Sequence, residues 1–315
     1  MILRTFLRAV LSAAVFATAS LAFAAPTGYS VRSDVDQKLY RIDMNTGVAT
    51  ELGATGFSKI EGLAINAAGE IYGVNPRTAQ LVKCSATTGA CTAVGLLPNV
   101  FPSPTNAGLT FSSTGVLYLA INTVVYRVDP ASAGTAALNS AGPALSGLAG
   151  VAPSATCASG VYALGGNTDQ GKFYCINTTN GSATLLGTLS GVSSLDSGLD
   201  GDITTGVVWG VTNDTPGRVF AVNPDTLAVS NLNSITLAGS PIGGFESLAI
   251  ARSVAPPTGG AGTNNNVPAT VPALSGQSMV ALSLLLTLFA ALQHRRAWSM
   301  RLGAGGAQTL TSRRK

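Results

Sequence analysis

Charge is scarce in this 315-residue chain: Asp, Glu, Lys and Arg make up 10 % of it, and there is one histidine, His294. With no imidazole before position 294, Ser-His-Asp catalysis and His-ligated metal sites are excluded from everything upstream. No stretch shows the period of an amphipathic helix, and no Gly-rich phosphate loop opens one; the abundant Gly marks turns. Acidic residues are absent from both ends: all 14 lie between Asp34 and Glu246, where 10 of the 18 basic residues lie between Arg32 and Arg252. Ten against fourteen leaves that stretch at −4, so the overall +4 belongs to the termini and is not a nucleic-acid footprint. C-x2-C pairs of the zinc type are missing among the four cysteines.

What is present is a repeat. Tyr40–Gly53 (YRIDMNTGVATELG) returns at Val82 (VKCSATTGACTAVG), Tyr126 (YRVDPASAGTAALN), Tyr174 (YCINTTNGSATLLG) and Phe220 (FAVNPDTLAVSNLN), in steps of 42, 44, 48 and 46 residues. Each copy alternates as a β-hairpin does, around a turn such as Met44-Asn45-Thr46-Gly47. A second strand pair precedes each hairpin, as in Glu61–Asn75 (EGLAINAAGEIYGVN), Ala107–Asn122, Ser146–Gly165 and Ser197–Asn213. One unit is therefore four short strands, A to D, and units of about 40–45 residues are the signature of propeller blades.

The ends complete the expectation. The first hairpin follows a lone B-like strand, Gly28–Ser33, and the last precedes an orphan A-like strand, Glu246–Ile250 (ESLAI), which resembles Glu61–Ile65 (EGLAI). The reading is an all-β, five-bladed β-propeller in which the C-terminal strand completes the N-terminal blade and ties the ring shut.

The flanks read as targeting segments. Residues 1–24 have Arg4 and Arg8, an apolar run and Ala22-Phe23-Ala24, the form of a signal peptide, which leaves 25–252 as the propeller. Residues 253–270 are a Pro/Gly/Asn/Thr linker. Residues 271–296 begin with Val271-Pro272-Ala273-Leu274-Ser275, continue through an apolar run at 279–292 and end with Arg295 and Arg296; a basic tail, 297–315, follows. This order resembles the IPTL-type sorting signal of exported Gram-negative bacterial proteins, related to the signals read by exosortases. The resemblance implies export, membrane anchoring through 273–292 and cleavage near Pro272 by an exosortase-like enzyme. Counted from Ala273 the apolar run has 20 residues, enough to span a bilayer, and the arginines after it place the C-terminus in the cytoplasm and the propeller in the periplasm or at the surface.

Cys84 and Cys91 replace Ile42 and Ala49 of the first repeat and face each other across strands C and D, so a cross-strand disulfide is expected. Cys157 and Cys175 can bridge over strand B of the fourth blade. Four thiolates on a metal are the alternative, against which an exported chain favours disulfides.

Two acidic positions stand out: Glu61 and Glu246 occupy equivalent places before the innermost strand, where other blades have Ala107, Ser146 and Ser197. B–C turns on the same face carry Asp34, Asp36, Asn75, Asn122, Asn167, Asp169, Asn213 and Asp214. Such oxygens suit Ca²⁺, although Asp and Asn are also ordinary turn residues. Aromatics recur in one slot of strand B (Tyr29, Tyr72, Tyr118, Tyr162, Trp209) and one of strand C (Tyr40, Tyr126, Tyr174, Phe220), which fits packing between blades better than carbohydrate stacking.

Three functions are compatible with these residues: a non-catalytic binding or display module for an extracellular protein or glycan, a metal-dependent hydrolase, and a structural matrix component. EGLAINAAGEIYGVN resembles the repeats of NHL-type interaction propellers and the first inner strand of gluconolactonase-like propellers. The latter likeness implies lactonase chemistry with Glu61 as a metal ligand.

Overall fold

The structure is a computed structural model that describes residues 26–102, 106–192 and 196–251. The expected signal peptide, linker, sorting signal, membrane helix and tail lie outside the described residues, and no described helix is long and apolar enough to cross a membrane.

Apart from one turn of 3-10 helix at Asn167–Asp169, the regular structure is β. The strands are β1 (Thr27–Val31), β2 (Lys38–Asp43), β3 (Val48–Ala54), β4 (Gly62–Ile65), β5 (Ile71–Asn75), β6 (Gln80–Cys84), β7 (Cys91–Leu96), β8 (Ala107–Phe111), β9 (Leu117–Ile121), β10 (Val124–Val128) and β11 (Thr135–Ser140). They continue with β12 (Leu145–Gly150), β13 (Val161–Gly165), β14 (Lys172–Ile176), β15 (Ala183–Thr188), β16 (Ser197–Asp202), β17 (Val207–Thr212), β18 (Arg218–Val222), β19 (Val229–Ser234), β20 (Thr236–Leu237), β21 (Ser240–Pro241) and β22 (Ala249–Ile250). β4–β7, β8–β11, β12–β15 and β16–β19 are four antiparallel four-stranded blades, II to V. Blade I is β1–β3 with β22 paired to β1 through Gly28↔Ile250 and Tyr29↔Ala249. Its outer strand β3 also carries β20, in parallel, and β21 beyond it. The fold is a five-bladed β-propeller.

The buried side chains fall into five clusters, one for each seam between neighbouring blades. Tyr40 and Ile42 face blade V, while Leu39 and Val31 face blade II. Both faces of the inner strands are thus covered, which explains why β4, β5, β8, β9, β12 and β13 are buried along their whole length instead of alternating. The strand-slot aromatics sit in these seams, with Tyr40, Tyr162 and Phe220 almost fully buried, each worth about 1.5–3 kcal/mol in removed apolar surface.

Where neighbouring inner strands meet, three glycine positions leave room for backbone only. A Cβ on Gly108 would lie 2.7 Å from the Leu148 nitrogen, one on Gly147 2.7 Å from the Ser197 oxygen, and one on Gly198 2.2 Å from the Ser247 carbonyl carbon. This close approach accounts for the Gly-Leu pair that opens the inner strands of blades II to V.

The outer hairpins make a second set of contacts. Asp43, Ser85, Asp129, Asn177 and Asn223 each accept a backbone N–H four residues on, from Gly47, Gly89, Ala133, Gly181 and Leu227. Those five donors all have φ between 59° and 78°. Each turn leans on the outer strand of the preceding blade: Gly89 on Gly53, Gly181 on Asn139, and Gly47 on Ser234. Where the turn residue carries a side chain, the strand beneath carries glycine: Ala133 lies over Gly95 and Leu227 over Gly187. In β3, β7, β11 and β15 one residue, respectively Leu52, Val94, Leu138 and Leu186, is bulged out of the ladder. The simple alternation read for these strands therefore breaks at that residue, which raises the local twist.

Two disulfides are present, Cys84–Cys91 across β6 and β7 and Cys157–Cys175 within blade IV, and no described cysteine is free. They fit an oxidising compartment.

Candidate functional site

The inner strands of blades I, II and V begin side by side at one mouth of the axis, and four of the acids gather there. Glu61 precedes β4 and is fixed by its own N–H, which donates to the Val74 carbonyl at 3.0 Å. Glu246 lies three residues before β22, its N–H directed at the Val31 carbonyl. Asp34 comes from the β1–β2 turn, which is wound on the Arg32 carbonyl as acceptor for Val35, Asp36 and Gln37. Asp196 immediately precedes β16. Glu61 is 1 % exposed, Glu246 5 % and Asp196 7 %. Blades III and IV present Ala107 and Ser146 at the same level, the latter bonded to the Leu164 carbonyl.

One buried cation answers these carboxylates. Lys59, in the β3–β4 loop, places Nζ 2.9 and 2.8 Å from the two oxygens of Asp34, 2.5 Å from Glu61 Oε1 and 4.0 Å from Glu246 Oε2. The Glu61 contact is an ion pair by distance that lacks the directionality of a hydrogen bond. Arg77 reaches Asp34 from outside at 3.8 Å. Burial, and then the charge of Glu246, raise the Asp196 carboxyl well above the ordinary range. Glu246 is raised by burial and by Asp34, against the lowering effects of Lys59 and of hydrogen bonds to Asn213 and Ser33. Asn213 ties the same corner together, since its N–H donates to the Asp196 carbonyl and its carbonyl accepts from Gly244.

Deeper along the axis Asp200 links three inner strands. Thr110 of β8 donates its hydroxyl to Asp200 Oδ1 of β16 at 2.9 Å, and the Ile250 N–H donates to Asp200 Oδ2 at 2.8 Å. All three residues are buried.

The expected pair Glu61 and Glu246 is therefore brought together, along with Asp34. The remaining turn residues do local work. Asp36 pairs with Arg32 and accepts from the Tyr40 hydroxyl, Asn75 accepts from the Arg77 and Thr78 N–H groups, and Asp169 and Asp214 pair with Lys172 and Arg218. Sequence reasoning missed Lys59 and Asp196. Lys59 sits three residues and Asp196 one residue before an inner strand, in loops that vary between blades, so no repeat marks them.

No protein-family model and no curated protein matches this chain. Among solved structures it is similar to virginiamycin B lyase from Staphylococcus aureus, at 14 % identity over 68 % of this chain and 71 % of that one, with a TM-score of 0.40. It is also similar to a chain of a nidogen/laminin complex, at 15 % identity over 72 % of this chain and 86 % of that one, with a TM-score of 0.44.

Proposed function

We propose that this chain is an exported β-propeller that acts as a non-catalytic binding or display module, its ligand an extracellular protein or glycan met by the loops of the axial-mouth face. In this reading residues 1–24 are removed on export, residues 271–296 anchor the chain and are open to processing, and β22 closes the ring by completing blade I.

The observation that carries the proposal is the rigid ring that presents the loops: the inner strands meet backbone to backbone, and the Thr110–Asp200 hydrogen bond joins blades III and V. A binding module needs rigidly held loops. The seams, the disulfides and the leaning hairpins supply that rigidity. The loops concerned are 54–60, 96–106, 139–145, 188–196 and 234–245, and the first of them holds Lys59.

The test is a binding screen with the immobilised chain against envelope glycans and exported proteins, run beside ester and lactone hydrolysis assays. A saturable ligand whose affinity falls on replacement of Phe57 or Phe101 by Ser supports the proposal. Turnover that disappears in Glu61→Ala overturns it in favour of a hydrolase. Intact-mass measurement of the exported protein reads the termini, and a chain running from Met1 to Lys315 contradicts processing.

A further inference from the structure

The mouth of the axis has a deficit that the protein itself does not fill. Buried side-chain oxygens that accept no hydrogen bond are concentrated there: Oε2 of Glu61, Oε2 of Glu246 and Oγ of Ser197. Outside the mouth, among the described residues, Trp209 Nε1 is the one buried side-chain atom in that condition. Native interiors leave few such groups, and a concentration of them calls for a ligand. Those at the mouth are oxygens, and both carboxylates are more than nine-tenths buried.

Charge points the same way. Asp34, Glu61 and Glu246 bring three carboxylates, and the facing cations are Lys59 and Arg77. Arg32 and Arg218 nearby are committed to Asp36 and Asp214. One positive charge is missing. Water supplies donors to orphaned oxygens but no charge, and unneutralised carboxylates out of water are costly.

We infer that the axial mouth is a site for one hard divalent cation of Ca²⁺ size, held by Glu61 and Glu246 with Asp34, beside the Lys59 ammonium. One oxygen from each of Asp34, Glu61 and Glu246 lies within 4.8 Å of the others. Ca²⁺–oxygen bonds of 2.3–2.6 Å let opposed ligands stand up to about 5.2 Å apart, so the separation of the three carboxylates is within the span of a single ion. The donors are all oxygen, which selects Ca²⁺ over Zn²⁺ or copper. Lys59 takes Asp34 and Oε1 of Glu61, but it stands 4.0 Å from Glu246 Oε2, so Oε2 of both glutamates stays open to the ion. The ion links blades I, II and V at the face that carries the loops. This inference is independent of the binding role, because it concerns the metal alone.

The experiment is calorimetric Ca²⁺ titration of the purified full chain after chelation, with thermal unfolding at each Ca²⁺ level. Expected are one site per chain, a Tm that climbs with Ca²⁺, and at least a tenfold loss of affinity in Glu61→Gln and in Glu246→Gln. Glu51→Gln, on the exposed face of blade I, binds as the parent does. Glu246→Asp keeps the charge and withdraws the oxygen by one methylene; intermediate affinity marks a ligand, and unchanged affinity counts against one. No heat and no Tm shift up to about 10 mM Ca²⁺, beyond the range of weak extracellular sites, overturns the inference. So does parental affinity in both Gln variants. If the Gln variants fail to fold, the parent titration and Glu246→Asp decide between the same outcomes.

Discussion

The carboxylates of the axial mouth and those of the outer turns are the same functional groups in opposite situations. Asp43 accepts the N–H groups of Asn45 and Thr46, and Asp129 accepts from Ala131 N–H and the Ser132 hydroxyl. The Ser132 hydroxyl, and then the Ala131 N–H, hold Asp129 below its ordinary value, and the Ser154 and Thr156 side chains do the same for Asp225. At the mouth, burial and neighbouring negative charge hold Asp196 and Glu246 above theirs. Residue type does not settle the sign; the turns wrap backbone donors around the carboxylate, and the mouth removes water while offering one buried ammonium.

Replacing that ammonium breaks the contrast most severely. Lys59→Met strands Glu61 and leaves Asp34 without its closest partner, and the expected loss in metal-free buffer is about 3–5 kcal/mol by urea unfolding. Asp200→Ala removes an axial carboxylate served by donors, takes the acceptor from the Ile250 N–H and leaves the Thr110 hydroxyl only the Phe111 carbonyl, for a loss of about 1–3 kcal/mol in the same assay. Asp43→Ala deletes one turn's acceptor for two N–H groups and costs about 1 kcal/mol, with the change confined to the hairpin in hydrogen exchange.

The pH profile sharpens the contrast by direction. Asp196 and Glu246 are raised in the folded state, so their contribution is complete below the ordinary carboxylate range and is lost as pH rises through their folded values. Asp129 and Asp225 are lowered, so theirs is present above the ordinary range and lost as pH falls. Unfolding measured with chelator from pH 2 to 8 tests this: Asp196→Asn flattens the alkaline decline, whereas Asp129→Asn alters only the acid limb. An alkaline decline that survives in Asp196→Asn contradicts the assignment.

Much of this architecture was legible. The repeat at Tyr40, Val82, Tyr126, Tyr174 and Phe220 is the blade count, since each copy must supply the same C–D hairpin. The opposed positions of Cys84 and Cys91 follow from the hairpin register, and the structure pairs them. Glu61 and Glu246 were findable because equivalent slots in a ring converge on its axis. Lys59 was not, since its side chain reaches the site from a loop that does not repeat. The bulges at Leu52, Val94, Leu138 and Leu186 were hidden too: an inserted residue leaves an apolar position in place and alters only which partner it faces. The β20–β21 pair, two residues per strand, is too short to leave a period.

The leaning hairpins bear on how such a ring can change. A hairpin tip and the notch that receives it belong to different repeats, Leu227 to blade V and Gly187 to blade IV, Ala133 to blade III and Gly95 to blade II. Duplicating blade III or V, or deleting blade IV, at its own boundaries would set a side-chain-bearing tip on a strand that has Asn139 or Asn233 where the matching glycine is needed. A copy cut from the middle of one outer strand to the middle of the next would carry both halves of each fit, so the heritable module of this ring is staggered from the blade the eye picks out.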